Sequence, residues 1–115
     1  MKEKDLCVMF YSRIKLLQQT NYFKKRFFVF HIPNEQRGNM LYTMHLKRMG
    51  LVSGIADYCV LKDNGEAMFI EFKRNKKCKL SVSQKDFMEL CKELNVKFLM
   101  TSDVEQAIDF IKENI

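Results

Sequence analysis

Between Lys4 and Gln19 the apolar residues Leu6, Met9, Phe10, Ile14 and Leu17 return at intervals of three and four, the stripe by which an amphipathic helix covers a core. The period then changes. Phe27-Phe28-Val29-Phe30-His31-Ile32 is a short aromatic and branched run that stops at Pro33, which predicts a buried strand ended by a residue with no amide proton. Residues 33–39 are polar. Met40, Leu41, Met44, Leu46 and Met49 resume helical spacing, with Gly50 placed as the C-terminal cap.

Ile55 to Leu61 and Ala67 to Phe72 are strand-like runs separated by Lys62-Asp63-Asn64-Gly65-Glu66, whose Asn-Gly pair signals a hairpin. Two registers are open. A loop centred on Asn64, with Gly65 left-handed, sets Asp57 opposite Glu71, whereas a tight two-residue turn sends the two carboxylates to opposite faces. Ser81-Val82-Ser83-Gln84 has the pattern of a capping box and opens a helix to about Leu94, with Asn95 as its cap. Lys97 to Thr101 reads as a fourth strand. Ser102-Asp103-Val104-Glu105 is a second capping box, opening a last helix with Val104, Ile108 and Ile111 inward. The first three strands are expected to pair mainly antiparallel, and the fourth, reached through a helix, to join parallel. The fold class is therefore α/β, a mixed four-stranded sheet flanked by helices.

Composition narrows the class further. A chain of 115 residues, 47% hydrophobic and 30% charged, suits one globular domain over residues 1–115 and not a disordered or collagen-like chain. No repeat or linker interrupts it. No apolar run approaches the roughly 18 residues needed to span a bilayer, and Met1-Lys2-Glu3-Lys4-Asp5 is too charged for a signal peptide. A soluble intracellular protein with no membrane partner is expected. Cys7, Cys59, Cys78 and Cys91 are scattered and match neither a zinc site nor a disulfide framework. Twenty Lys and Arg against fourteen Asp and Glu favour a polyanionic partner.

The candidate chemistry lies in the hairpin. Alternation puts Phe69, Glu71 and Lys73 on one face of their strand, with the carboxylate and ammonium about 7 Å apart along it. Alone, this is the pattern of a solvated polar face. Asp57, however, interrupts the apolar run from Ile55 to Leu61, where an isolated charge is costly unless paired or bound to metal. In the first register two carboxylates and a lysine converge, the groups that a hard cation such as Mg²⁺ and a phosphodiester require. Beyond Lys73, the basic residues Arg74, Lys76, Lys77 and Lys79 stand in an acid-free loop, and Lys24-Lys25-Arg26 forms a second basic cluster. Each is either a solvated loop or a phosphate contact. The last helix carries Asp103, Glu105, Asp109 and Glu113 against Lys112, so the excess positive charge is expected near the candidate site.

Four blocks in order, His31-Ile32-Pro33-Asn34, Gly50-Leu51-Val52-Ser53-Gly54-Ile55-Ala56-Asp57, Phe69-Ile70-Glu71-Phe72-Lys73 and Leu80-Ser81-Val82-Ser83-Gln84, resemble the virus-type replication-repair nuclease (VRR-NUC) domain of the PD-(D/E)XK superfamily. They cover most of the chain from residue 31 onward. One departure is that Ala56 stands where the family often has Pro before its aspartate. The resemblance implies a restriction-endonuclease-like fold, with Asp57, Glu71 and Lys73 at the metal-binding and catalytic positions and Gln84 at an additional motif on the following helix. It also implies an acid from the first helix, for which Glu3 is the candidate and Asp5 the alternative. Gln84 can equally be only the capping partner of Ser81, and Glu3 an ordinary helix N-terminal acid. His31, Asn34 and Arg37 are candidates for touching DNA or supporting the site, with a core role the competing reading for His31.

By the same resemblance the expected activity is a Mg²⁺- or Mn²⁺-dependent DNA endonuclease without a small-molecule cofactor. Small stand-alone members look like homodimers that resolve four-way (Holliday) junctions, since paired cuts need two sites related by symmetry. A flap- or nick-directed nuclease, and a nucleic-acid-binding module without turnover, are the competing readings.

Overall fold

The computed structural model describes residues 1–33 and 39–115, so Asn34 and Arg37 lie outside the described residues. Helix α1 spans Glu3–Gln18, strand β1 Phe27–His31, α2 Met40–Arg48, β2 Tyr58–Lys62, β3 Ala67–Phe72, α3 Val82–Glu93, β4 Lys97–Thr101 and α4 Val104–Asn114. The sheet order is β1-β2-β3-β4. β1 with β2 and β2 with β3 pair antiparallel, and β3 with β4 parallel, which is the α/β arrangement expected from the order of patterns.

The hairpin loop chooses the register. Lys62 N–H donates to the Glu66 carbonyl at 2.9 Å and Gly65 N–H to the Lys62 carbonyl at 3.1 Å, while Gly65 has φ +88°. This is a three-residue loop closed by a left-handed glycine, and it pairs Tyr58 with Ile70 and Cys59 with Phe69. This is the register of the first alternative, although the regular ladder stops at Tyr58 and Asp57 instead reaches the neighbouring strand through its carboxylate, which accepts from Phe72 N–H. Regular pairing in β2 begins at Tyr58, three residues later than the apolar run from Ile55 predicts. The chain leaves a turn at Gly54 (φ +73°) and enters the sheet through Asp57, whose N–H donates to Ile70 O and whose carbonyl accepts from Ile32 N–H.

Alternate residues of the strands, among them Val29, Tyr58, Val60, Ile70 and Phe72, meet Phe10 and Ile14 of α1 and Ile108 and Ile111 of α4 in one core. The opposite face is covered over β3 and β4 by α3, whose Phe87 ring lies 5.0 Å from Phe69 and 6.1 Å from Phe98. On β1 and β2 that face is open, with Phe28, Phe30 and Leu61 exposed. Helix α2 forms where its spacing predicts, capped by Asn39, which accepts from Tyr42 N–H at 2.8 Å, yet it buries none of its residues. Helix α4 is capped by Asp103, not Ser102. The reason is that the Thr101 hydroxyl accepts from Asp103 N–H at 3.0 Å, which moves the first helical turn one residue on. Among the described residues, no helix is long and apolar enough to cross a membrane.

Candidate active site

Glu71 sits near the end of β3 and is only 3% exposed, so the strand does not present a solvated polar face at this point. Lys73 follows as the chain leaves the sheet, held to β4 by its N–H donating to Thr101 O at 2.9 Å. Its ammonium lies 3.4 Å from Glu71 Oε2 and donates to Gln84 Oε1 at 2.9 Å. Gln84 in turn donates from Nε2 to Glu71 Oε2 at 3.0 Å. Both open readings of Gln84 hold together, because the same Oε1 accepts from Ser81 N–H at 3.0 Å while Ser81 Oγ accepts from Gln84 N–H at 3.2 Å. The capping box that starts α3 therefore also aims the Gln84 amide at the carboxylate.

Asp57 approaches from β2. Its Oδ2 accepts from Phe72 N–H at 2.7 Å, which fixes the carboxylate beside the segment carrying Glu71 and Lys73. Burial pushes the Asp57 carboxyl above its ordinary range against that stabilising hydrogen bond. Burial, and then the nearby charge of Asp57, push Glu71 up to about 7. Among the described residues the second oxygen, Glu71 Oε1, is buried with no hydrogen-bond partner, an arrangement that native structures rarely leave uncompensated.

Glu3 opens α1 and lines the same cleft, of about 940 Å³, as Asp57, Glu71, Lys73 and Gln84. Its charge adds to the upward push on both carboxyls. Asp5 is not among the residues lining the cleft. The start of α1 is held there by Tyr58, whose hydroxyl donates to Cys7 O at 3.0 Å. Glu3 is exposed, and among the described residues no three His, Cys, Asp or Glu side chains stand ready as a metal cage. The donor set is nonetheless one of hard oxygens, the chemistry that a divalent cation such as Mg²⁺ takes, and Asp57, Glu71 and Glu3 are the residues that could hold one.

His31 is exposed rather than packed in the core. Its Nδ1 lies 2.8 Å from Asp57 O, and because a carbonyl only accepts, Nδ1 carries the hydrogen. Arg74, Lys76, Lys77 and Lys79 are exposed on the loop between β3 and α3, which turns on Asn75, whose Oδ1 accepts from Lys77 N–H at 2.9 Å. They stand outside the cleft lining. The expectation that the excess positive charge gathers near the site is corrected for Lys24-Lys25-Arg26. These residues precede Phe27, at the end of β1 that pairs with Lys62, whereas His31, at the other end, pairs with Tyr58 beside Asp57.

Two features of the site escape sequence reasoning. A Cβ on Gly54 would meet Gln84 N at 2.9 Å and Ser83 Cβ at 3.0 Å, so the turn before Asp57 packs directly on the first turn of α3. The signal present in the sequence is a glycine next to Ser53, which says nothing of what it touches. The second is Cys7, whose thiol burial raises to about 12, so that it is not a nucleophile at neutral pH.

No protein-family model matches the chain, and no curated protein sequence does. Solved structures do. A structure described as a VRR_NUC domain covers all of this chain and 99% of its own, at 17% identity and a TM-score of 0.63. A VRR_NUC domain protein covers all of this chain and 88% of its own, at 18% identity and a TM-score of 0.73. The chain has the VRR_NUC fold. Within that fold, the residues singled out from the sequence at the hairpin and at the start of α3 are those that meet in the cleft.

Proposed function

We propose that this chain is a divalent-metal-dependent DNA endonuclease that hydrolyses phosphodiester bonds in branched DNA, with the four-way junction as its substrate and a homodimer as its working form. The observation that carries the reading is the half-buried network of Glu71, Lys73 and Gln84 beside Asp57, with Glu71 Oε1 lacking a partner among the described residues. Asp57 and Glu71, with Glu3 at the cleft edge, are the residues that would hold Mg²⁺ or Mn²⁺. When bound, such an ion polarises a phosphoryl oxygen and offsets the repulsion between carboxylates.

The chain's own residues supply the rest. Gln84 fixes the Lys73 ammonium and the Glu71 carboxylate relative to one another, and the Lys73 ammonium positions the attacking water and offsets the negative charge that develops on the phosphoryl group. His31 and the loop residues Arg74, Lys76, Lys77 and Lys79 hold backbone phosphates, in a salt-dependent way. The dimer supplies the second active site that symmetric cutting of a junction needs.

The test is cleavage of labelled four-way junction, flap, nicked duplex, intact duplex and single strand in Mg²⁺, Mn²⁺ or EDTA, with Asp57→Ala and Lys73→Ala alongside. Symmetric metal-dependent nicks in the junction, lost in both variants, are expected. Cutting of flaps alone would keep the site and change the substrate, and binding with no cutting under either metal would sink the enzyme reading.

A further inference from the structure

Two aromatic rings stand in the open on the strand that borders the candidate site. Alternation along β1 sends Phe27 and Val29 into the core and leaves Phe28 and Phe30 on the other face, 58% and 38% exposed. Their rings are 5.9 Å apart and inclined by 36°. Phe30 pairs with Cys59, two residues after Asp57 in the chain. Phe28 and Phe30 are among the residues that border the cleft holding Asp57, Glu71 and Lys73. Helix α3 packs on Phe69 and Phe98 of the far strands and leaves this part of the face uncovered. Beyond the opposite end of β1, whose five residues span roughly 13 Å by strand rise, stand Lys24, Lys25 and Arg26, which with Phe23 and Gln18 border a second, smaller hollow of about 390 Å³.

We propose that the outer face of β1 is a track for an unpaired stretch of nucleic-acid strand, whose bases stack on Phe30 and Phe28 while its backbone runs from the carboxylate cleft towards Lys24–Arg26. Paired bases hide their π-faces inside the helix and show only their edges, whereas an unpaired base offers a face to an exposed ring. Aromatic rings along a groove with cations to follow the backbone are the combination that binds single strands without sequence preference. A second copy of the chain is a poorer occupant. Two half-exposed rings and Leu61 fall well short of the roughly 800 Å² per partner that a stable interface buries, and a charged cluster at the end of the patch runs against the charge depletion of interface cores. The track takes its direction from the nuclease reading of the cleft, but strand binding is measurable without turnover.

The experiment is equilibrium binding in EDTA of a duplex carrying a single-stranded thymidine tail, against the same duplex with an abasic tail. The proteins are the full chain and its Phe28→Ala, Phe30→Ala, Phe28→Leu and Phe28→Tyr variants. The wild type should prefer the base-bearing tail by about tenfold or more; the Ala and Leu variants should lose most of that preference, and Tyr should restore it. Thermal unfolding confirms that the exposed substitutions leave the fold intact. Equal affinity of the wild type for both tails, or a Leu variant as selective as the wild type, overturns the track. So does a Phe28→Ala variant that changes sedimentation mass while keeping its base preference, which would give the face to a second copy. Cleavage is scored separately in Mg²⁺. Cutting of the four-way junction without base preference sinks the track and spares the nuclease reading, base preference without cutting does the reverse, and binding of neither tail sinks the track alone.

Discussion

The two faces of the sheet are made by alternate residues of the same four strands, and they have opposite characters. On one, α1 and α4 close over Phe10, Phe72, Ile70 and Ile108, all essentially without exposure. Each such side chain contributes about 1.5–3 kcal/mol by leaving water. On the other, α3 covers only β3 and β4, and at its edge lie a buried carboxylate, a lysine and an amide whose hydrogen-bonding capacity is not all used. The sealed face carries the stability. The half-open face tolerates an unfavourable burial of charge, because the sealed face supplies the margin for it.

This contrast is open to experiment, beginning with the largest effects. Phe10→Ala should cost about 3–5 kcal/mol in urea unfolding, with its activity loss explained by the unfolded fraction. Lys73→Ala should behave in the opposite way, lowering cleavage by about 10²–10⁴-fold while its unfolding midpoint stays close to the wild type. If Lys73→Ala unfolds as easily as Phe10→Ala, the division of labour between the faces is wrong.

A second effect depends on pH. In the metal-free protein Glu71 is raised from 4.5 to about 7, so the folded state holds this proton more tightly than the unfolded chain does. The stabilisation from that proton is complete below about pH 4.5 and is lost as pH rises through about 7, a change on the order of 3 kcal/mol. Denaturant unfolding in EDTA should therefore show the wild type weakening between pH 4.5 and 8 relative to Glu71→Gln, which cannot titrate. Adding Mg²⁺ at pH 8 should raise the wild-type midpoint and leave that of Glu71→Gln unmoved. Parallel pH curves for the two proteins would contradict the buried position of Glu71.

Smaller effects probe the seam between the faces. Gly54→Ala places a Cβ against Gln84 N and Ser83 at a positive φ, and should cost about 1–2 kcal/mol. It should also lower cleavage more than that loss of stability explains, since it pushes on the turn that aims Gln84. Phe28→Leu, on the open face, should move the unfolding free energy by less than about 0.5 kcal/mol, checked in the same urea titration.

The candidate site was legible in the sequence to different depths at different residues. Asp57 stood out because it breaks an apolar run, and its partnership with Glu71 was one of two registers that only the loop geometry at Gly65 separated. Gln84 was readable as a capping residue or as a site residue, and serves in both geometries because one amide has an oxygen and a nitrogen to share. The first-helix acid was ambiguous between Glu3 and Asp5. Only the packing of α1, tied to β2 through Tyr58 and Cys7, turned Glu3 towards the cleft.

What the chain determined by itself is what neighbouring residues decide among themselves: periods of two or 3.6, the glycine and asparagine that turn the chain, and the serine that starts α3. Those interactions act over a single turn or strand, so the order of elements and the mixed sheet follow from them. What tertiary structure alone decided is which stripe finds a neighbour and which cluster meets which. The apolar positions of α2 stay out of the core, Lys24–Arg26 lie at the far end of β1 from Asp57, and Gly54 touches a helix thirty residues further along. Such juxtapositions depend on register and packing between segments distant in the chain, and no local pattern encodes them.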